Sequence, residues 1–172
     1  FCLVTKIYLM LIYLKNKDTL LVDDFEFECC IGKNGKKKNK IEGDGSTPKG
    51  KFNITTLYYR SDRVNKPKTK LKLKKIVPNM GWCDDPGHKN YNKEILIDDS
   101  VHHEKLYRKD HKYDYILVLD YNMIEIEPNK GSAIFLHLTS NFKPTQGCIA
   151  LKKKDFEILI KLINKNNSIL IN

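Results

Sequence analysis

The chain has 172 residues, 41% of them hydrophobic and 30% charged. That balance excludes an intrinsically disordered chain, and the length suits one domain, 1–172, able to bury a core without staples. The formal charge of +10 raises the question of a nucleic-acid surface, but the only arginines are Arg60, Arg63 and Arg108. Readers of bases and phosphates favour the arginine fork, so no nucleic-acid partner is expected, and the positive field suits loose attraction to an anionic polymer better.

In chain order, residues 6–14 form the first apolar run. It is shorter than the about twenty residues of a membrane-spanning helix, so no stable membrane insertion is expected. A leader's apolar part is the competing reading, but a small-residue cleavage site is missing. With a polar turn at 15–18 and a second run at 19–22, a hairpin is preferred. No methionine precedes Phe1, which leaves a leader ahead of it open. Residues 25–31 alternate as a strand, 33–40 form a basic loop, and Gly43, Gly45, Pro48 and Gly50 punctuate a turn-rich stretch before a strand at 52–59. That glycine cluster has neither the spacing nor the following helix of a phosphate loop. Leucine alternates with lysine over 69–77 as in a half-exposed strand, and 115–119 reads as a buried one.

The run 133–136 predicts a buried strand delivering His137 at its end, and 148–151 predicts another beginning at Cys148, with 141–147 turning the chain so that the two side chains meet. Gly147 allows a tight backbone before the thiol and leaves N–H groups free for an oxyanion. An imidazole beside a thiol eases its ionisation, and the thiolate is the attacking species. Phe156, Leu159, Ile160 and Ile163 share one face of a single helix after the charged start at 152–155, and 168–171 closes as a last strand. Many short strands with one late helix predict a mainly β fold, a sandwich or distorted barrel of mixed sheets with the helix before the last strand.

Five cysteines, at 2, 29, 30, 83 and 148, leave at least one thiol unpaired within the chain. Cys29 and Cys30 are neighbours expected on opposite faces of a strand. No Cys-x-x-Cys pair is present, and the adjacent His102 and His103 diverge if extended, so no metal site is expected. His88 and His111 read as exposed loop residues.

Thr145-Gln-Gly-Cys-Ile-Ala-Leu151 after a strand ending in His137 resembles the L,D-transpeptidase catalytic domain (YkuD-like) family, in its branch with a Thr-x-Gly-Cys signature. Gly43-Asp-Gly-Ser-Thr-Pro-Lys-Gly50, Trp82-Cys-Asp-Asp-Pro86 with Tyr91-Asn92, His103-Glu-Lys-Leu-Tyr-Arg108, Tyr113-Asp-Tyr115 and Asp120-Tyr-Asn122 are similar to that branch in the same order. The resemblance covers about residues 25 to 171 and agrees with the mainly β reading. It implies a cysteine acyltransferase of peptidoglycan stem peptides in a bacterial periplasm or cell envelope, without a cofactor. Cys148 would expel the terminal D-amino acid of a tetrapeptide stem, and a neighbouring stem amine would take the acyl group in a 3-3 cross-link. Water as acceptor would make the chain an L,D-carboxypeptidase or cell-wall amide hydrolase, and a decayed site would leave a peptidoglycan-binding module.

Many relatives carry a histidine two residues before the nucleophile, where this chain has Gln146. An amide cannot be a base, so the imidazole role falls on His137, while Gln146 can hydrogen-bond near the oxyanion with Gly147 and Thr145 can support either His137 or the turn. Two readings stand for Trp82, Asp84, Asp85, Tyr91 and Asn92: a donor groove, or a loop held by Asx turns and Pro86. Glu104, Arg108 and Asp114 could bind the stem's carboxylates or amines, although a salt-bridge network is the preferred reading.

Overall fold

The computed structural model describes residues 10–172. Alternating apolar residues and frequent Gly, Asn and Pro breaks give many short strands: β1 (Ile12–Leu14), β2 (Thr19–Val22), β3 (Phe25–Cys30), β4 (Lys36–Lys37), β5 (Thr47–Pro48), β6 (Gly50–Tyr59) and β7 (Lys72–Lys75). They continue as β8 (Met80–Cys83), β9 (Glu94–Leu96), β10 (His103–Lys105), β11 (Tyr115–Leu119), β12 (Phe135–Leu138) and β13 (Ile149–Leu151), then the helix α1 (Lys153–Leu162) and β14 (Ser168–Ile171). The fold is mainly β, with the one helix among the described residues placed before the last strand. Residues 6–9 of the predicted hairpin, and Cys2, lie outside the described residues; β1 and β2 pair antiparallel as its remainder.

The large sheet runs β11-β12-β13-β3-β2-β1-β14-β6, and β6 pairs back onto β11, which closes a barrel-like sandwich. The length of β6 permits the closure. Its residues 50–53 pair with β14, while 54–59 pair with β11 and 56–59 also carry the parallel edge strand β7. Closure leaves fewer edges to protect. A separate sheet, β10-β8-β9, lies over the outside of the barrel, and β4 pairs with β5.

The period of two sorts side chains between two cores. Leu136, Leu138, Ile149, Leu151, Tyr115, Leu117 and Leu119 point inward with Leu14, Leu20 and Leu57. Phe156, Leu159 and Ile160 of α1 join them, and Phe156 stacks on Tyr115 with ring centroids 5.6 Å apart. The intervening residues Phe135, Ile116 and Val118 point outward and pack with Trp82, Leu106 and Tyr113 beneath the three-stranded sheet. Cys29 lies in the inner core and Cys30 outside it. Cys29, Cys30, Cys83 and Cys148 are all free thiols.

One expectation about the chain path changes. Strand β13 runs parallel to β12, not back along it, with His137 opposite Ala150. The connection therefore has to carry the chain back past the whole strand. It does so on the barrel's exterior, where Thr145 is fixed beside β3 by Thr145 N–H to Ile31 O (2.9 Å) and Lys33 N–H to Thr145 O (2.9 Å).

Candidate active site

Parallel register decides which groups meet. Leu136 lies opposite Ile149 and His137 opposite Ala150, so His137, Ala150, Cys148 and Phe135 share the outward face. A cavity of about 420 Å³ opens there, lined by Cys148, His137, Tyr113 and the connection that precedes the thiol. The imidazole is 7% exposed. Its Nδ1 lies 2.9 Å from Leu138 O. A carbonyl can only accept, so Nδ1 carries the hydrogen and the lone pair sits on Nε2. The Tyr113 ring packs edge-on against the imidazole at 5.2 Å and fixes its plane.

The thiol makes no hydrogen bond to the imidazole. Cys148 Sγ donates to Ala133 O at 3.2 Å and accepts from Phe135 N–H at 3.4 Å. Burial pushes this thiol up to about 12, with the Glu104 carboxylate adding to the effect, while the Phe135 N–H and Lys40 oppose it. Burial also lowers His137 to about 4, against the pull of its Leu138 hydrogen bond. The easily ionised thiol expected from the sequence is therefore absent in the resting site. Desolvation disfavours both charged forms, and the pair rests as thiol and neutral imidazole.

The turn ahead of Cys148 is tied from two sides. Thr145 Oγ1 donates to Cys148 O at 2.6 Å and accepts from Gly147 N–H at 3.1 Å, so Thr145 supports the turn itself. Gly147 has φ +147, and a Cβ there would lie 2.9 Å from Ser46 O. Glycine alone permits this approach of the Gly-Asp-Gly-Ser-Thr-Pro segment. Across it, Thr47 Oγ1 donates to Gly147 O (2.8 Å) and accepts from Gly32 N–H (2.9 Å). The expectation of a free Gly147 N–H is corrected here, because Thr145 already engages it. The N–H groups of Gln146 and Cys148 have no acceptor among the described residues, and the exposed Gln146 side chain lines the cavity.

Other sequence candidates divide between wall and scaffold. Glu104, Arg108 and Asp84 line the cavity. Glu104 accepts from Tyr113 O–H at 2.6 Å, Arg108 binds Asp110 at 2.6 Å, and Asp84 pairs with His102 at 2.5 Å. Trp82, Asp85, Tyr91 and Asn92 do not reach the cavity. The Trp82 ring is core, edge-on to Phe135 at 5.1 Å. Asp85 forms an Asx turn with Gly87 N–H, and buried Tyr91 donates to Glu42. Asn92 Oδ1 accepts from Trp82 Nε1–H (2.9 Å) and Ala133 N–H (3.0 Å), so it holds the residue whose carbonyl seats the thiol. Asp114 is buried between Arg63 and His111, a structural network; His111 is exposed, while His88 is half-buried.

Sequence reasoning missed Lys40, Ser132 and Ala133. Lys40 is 3% exposed yet lines the cavity, its Nζ 2.7 Å from Asp44 Oδ1. Burial works against the Asp44 charge, but the Lys40 ammonium and the Ile41 and Ser46 N–H groups hold it down to about 2. Nothing in a lysine-rich loop marks which lysine turns inward.

The family model for the L,D-transpeptidase catalytic domain (YkuD) matches residues 5–171. The chain belongs to this family. Among solved structures, it is similar to an L,D-transpeptidase from Mycobacterium smegmatis at 12% identity and a TM-score of 0.45, over 95% of this chain and 58% of that one. The chain thus spans little more than half of that protein's length. No curated protein matches it. For this YkuD-family chain, no helix among the described residues is long and apolar enough to cross a membrane.

Proposed function

We propose that residues 1–172 form a single catalytic domain acting on peptidoglycan stem peptides in the cell envelope or periplasm, with Cys148 as nucleophile and His137 as its base. The observation that carries this reading is the placement of Cys148 and His137 on one face of adjacent parallel strands, open to one cavity and with Nε2 left unprotonated.

Because both groups rest neutral, attack is general-base catalysed. The Cys148 thiol leaves Ala133 O and its proton passes to His137 Nε2 as sulfur bonds to the carbonyl carbon of the stem's third residue. The tetrahedral oxyanion takes the N–H groups of Cys148 and Gln146, each such donor being worth about 3 kcal/mol in other acyl transfers. The C–N bond then breaks, and the imidazolium returns its proton to the departing D-amino acid. Attack on the thioester by a neighbouring stem amine reverses the roles. His137 takes the amine's proton, the C–S bond breaks, and the proton goes back to sulfur, leaving a 3-3 cross-link.

The test is mass spectrometry of products after incubation with disaccharide tetrapeptides, using wild type and Cys148→Ala. Dimers lacking one terminal D-alanine, formed by wild type alone, are expected. Tripeptides alone would make the protein a carboxypeptidase. An unchanged tetrapeptide with both proteins would overturn the catalytic reading, and sacculus binding that survives the substitution would then identify a binding module.

A further inference from the structure

Four cationic side chains border the cavity, and they differ in kind. Lys112 and Lys143 are exposed, and Arg108 is committed to Asp110. Lys40 is buried, and its position is built. Its stem lies against Gly131, where a Cβ would come within 2.8 Å of Lys40 Cε. Its ammonium sits beside the turn that carries the thiol, 3.6 Å from where a Cβ on Gly147 would stand. An ammonium has three donors, and among the described residues Lys40 Nζ meets two acceptors, Asp44 Oδ1 at 2.7 Å and Ile41 O at 3.5 Å. Asp44 does not depend on this lysine alone, since Ile41 and Ser46 N–H groups bind it and Lys37 lies at 3.5 Å.

A second buried polar residue belongs to the same wall. Ser132, next to the glycine that seats Lys40, is 6% exposed and lines the cavity, and its buried Oγ makes no close hydrogen bond among the described residues, with the Tyr91 hydroxyl as its nearest polar influence. Buried polar groups left unpaired are rare and call for a partner. A buried ammonium with a donor to spare beside the nucleophile's turn, and a buried hydroxyl next to the glycine that seats it, in the wall of one cavity, are together suited to an anion.

We propose that Lys40 and Ser132 bind the terminal α-carboxylate of the donor peptide, so that the site selects a chain end over an internal peptide bond. This rests on the acyl-transfer reading above. In the departing D-amino acid the carboxylate carbon is two bonds from the scissile nitrogen, so an anion-binding pair beside Cys148 lies where that carboxylate falls. An internal bond presents a neutral amide there, which brings no charge to the donor that Lys40 has left beyond Asp44.

The experiment compares kcat/KM for a tetrapeptide donor ending in free D-alanine with the same peptide ending in D-alaninamide, using wild type, Lys40→Met and Ser132→Ala, with folding checked by thermal melting. Wild type is expected to prefer the free acid by about 100-fold, Lys40→Met to lose nearly all of that ratio, and Ser132→Ala to lose about tenfold of it. If wild type cleaves the free acid and both variants keep the full ratio, the subsite is overturned while the reaction stands. If wild type cleaves neither peptide, the reaction fails and the subsite with it. Should Lys40→Met fail to fold, an undiminished ratio in Ser132→Ala overturns the proposal by itself.

Discussion

The inner and outer faces of β12 and β13 are made by alternate residues of the same two short segments and live in different media. Inward, Leu136, Leu138, Ile149 and Leu151 belong to the main hydrophobic core, and the barrel closes over them. Outward, Phe135 packs beneath the three-stranded sheet, while His137, Cys148 and Ala150 face a cavity whose rim carries charge. One face gives the sheet its stability. The other places a thiol and an imidazole where desolvation keeps both neutral, so the site is ordered before substrate arrives but not ionised.

The comparison breaks most sharply with one substitution on each face. Cys148→Ala is expected to lower turnover by at least about 10³-fold with little change in melting temperature. Leu136→Ala, one strand over and inward, should cost about 2–5 kcal/mol in urea unfolding, with activity per folded molecule largely retained. Equal destabilisation by the two would collapse the distinction.

Acid should find the outer face first. His137 is held near 4 in the fold and titrates near 6.5 when unfolded, so between those values the unfolded chain binds more protons and stability falls as pH falls. The loss is roughly 3 kcal/mol by pH 4. Urea midpoints of wild type and His137→Gln across this range should differ in slope, and identical slopes would refute the neutral, buried imidazole. The same shift predicts that kcat/KM keeps its base form down to about pH 4. Asp44 adds a lower window. Its carboxylate is depressed to about 2, so its contribution, on the order of 2 kcal/mol, is complete above about pH 4 and is lost as pH falls through 2. Asp44→Asn should flatten the wild-type stability curve there.

Smaller effects sharpen the contrast. Thr47→Val removes the hydroxyl between Gly32 N–H and Gly147 O, and should cost about 1–3 kcal/mol while lowering kcat, since it loosens the turn beneath Cys148. Tyr113→Phe keeps the ring against His137 but takes the donor from Glu104. We expect a loss of about 1 kcal/mol and a change in turnover within tenfold, read from melting and initial rates.

Much of this architecture was legible locally. The alternation in 25–31, the strand runs at 52–59 and 115–119 and the helical face of Phe156, Leu159 and Ile160 are patterns of neighbours in sequence, and the corresponding elements formed. Strands β8, β9 and β10 were not read as strands, because Met80–Cys83 is buried along its whole length and shows no alternation, while the other two are three-residue pieces. Trp82 and Asn92 resembled a groove but serve as scaffold. Their bonding to each other and to Ala133 joins segments 41 residues apart in sequence.

The sequence by itself determined the mainly β class, the late helix, and a thiol and an imidazole joined by a glycine-ended connection, because periodicity and motif spacing are local properties of the chain. Tertiary structure alone decided that β13 runs parallel to β12, that Gly147 N–H is already engaged, that the thiol rests protonated, and that Lys40 among many lysines turns into the cavity. Those outcomes depend on desolvation and on hydrogen-bond partners brought from distant segments, and neither exists until the barrel has closed.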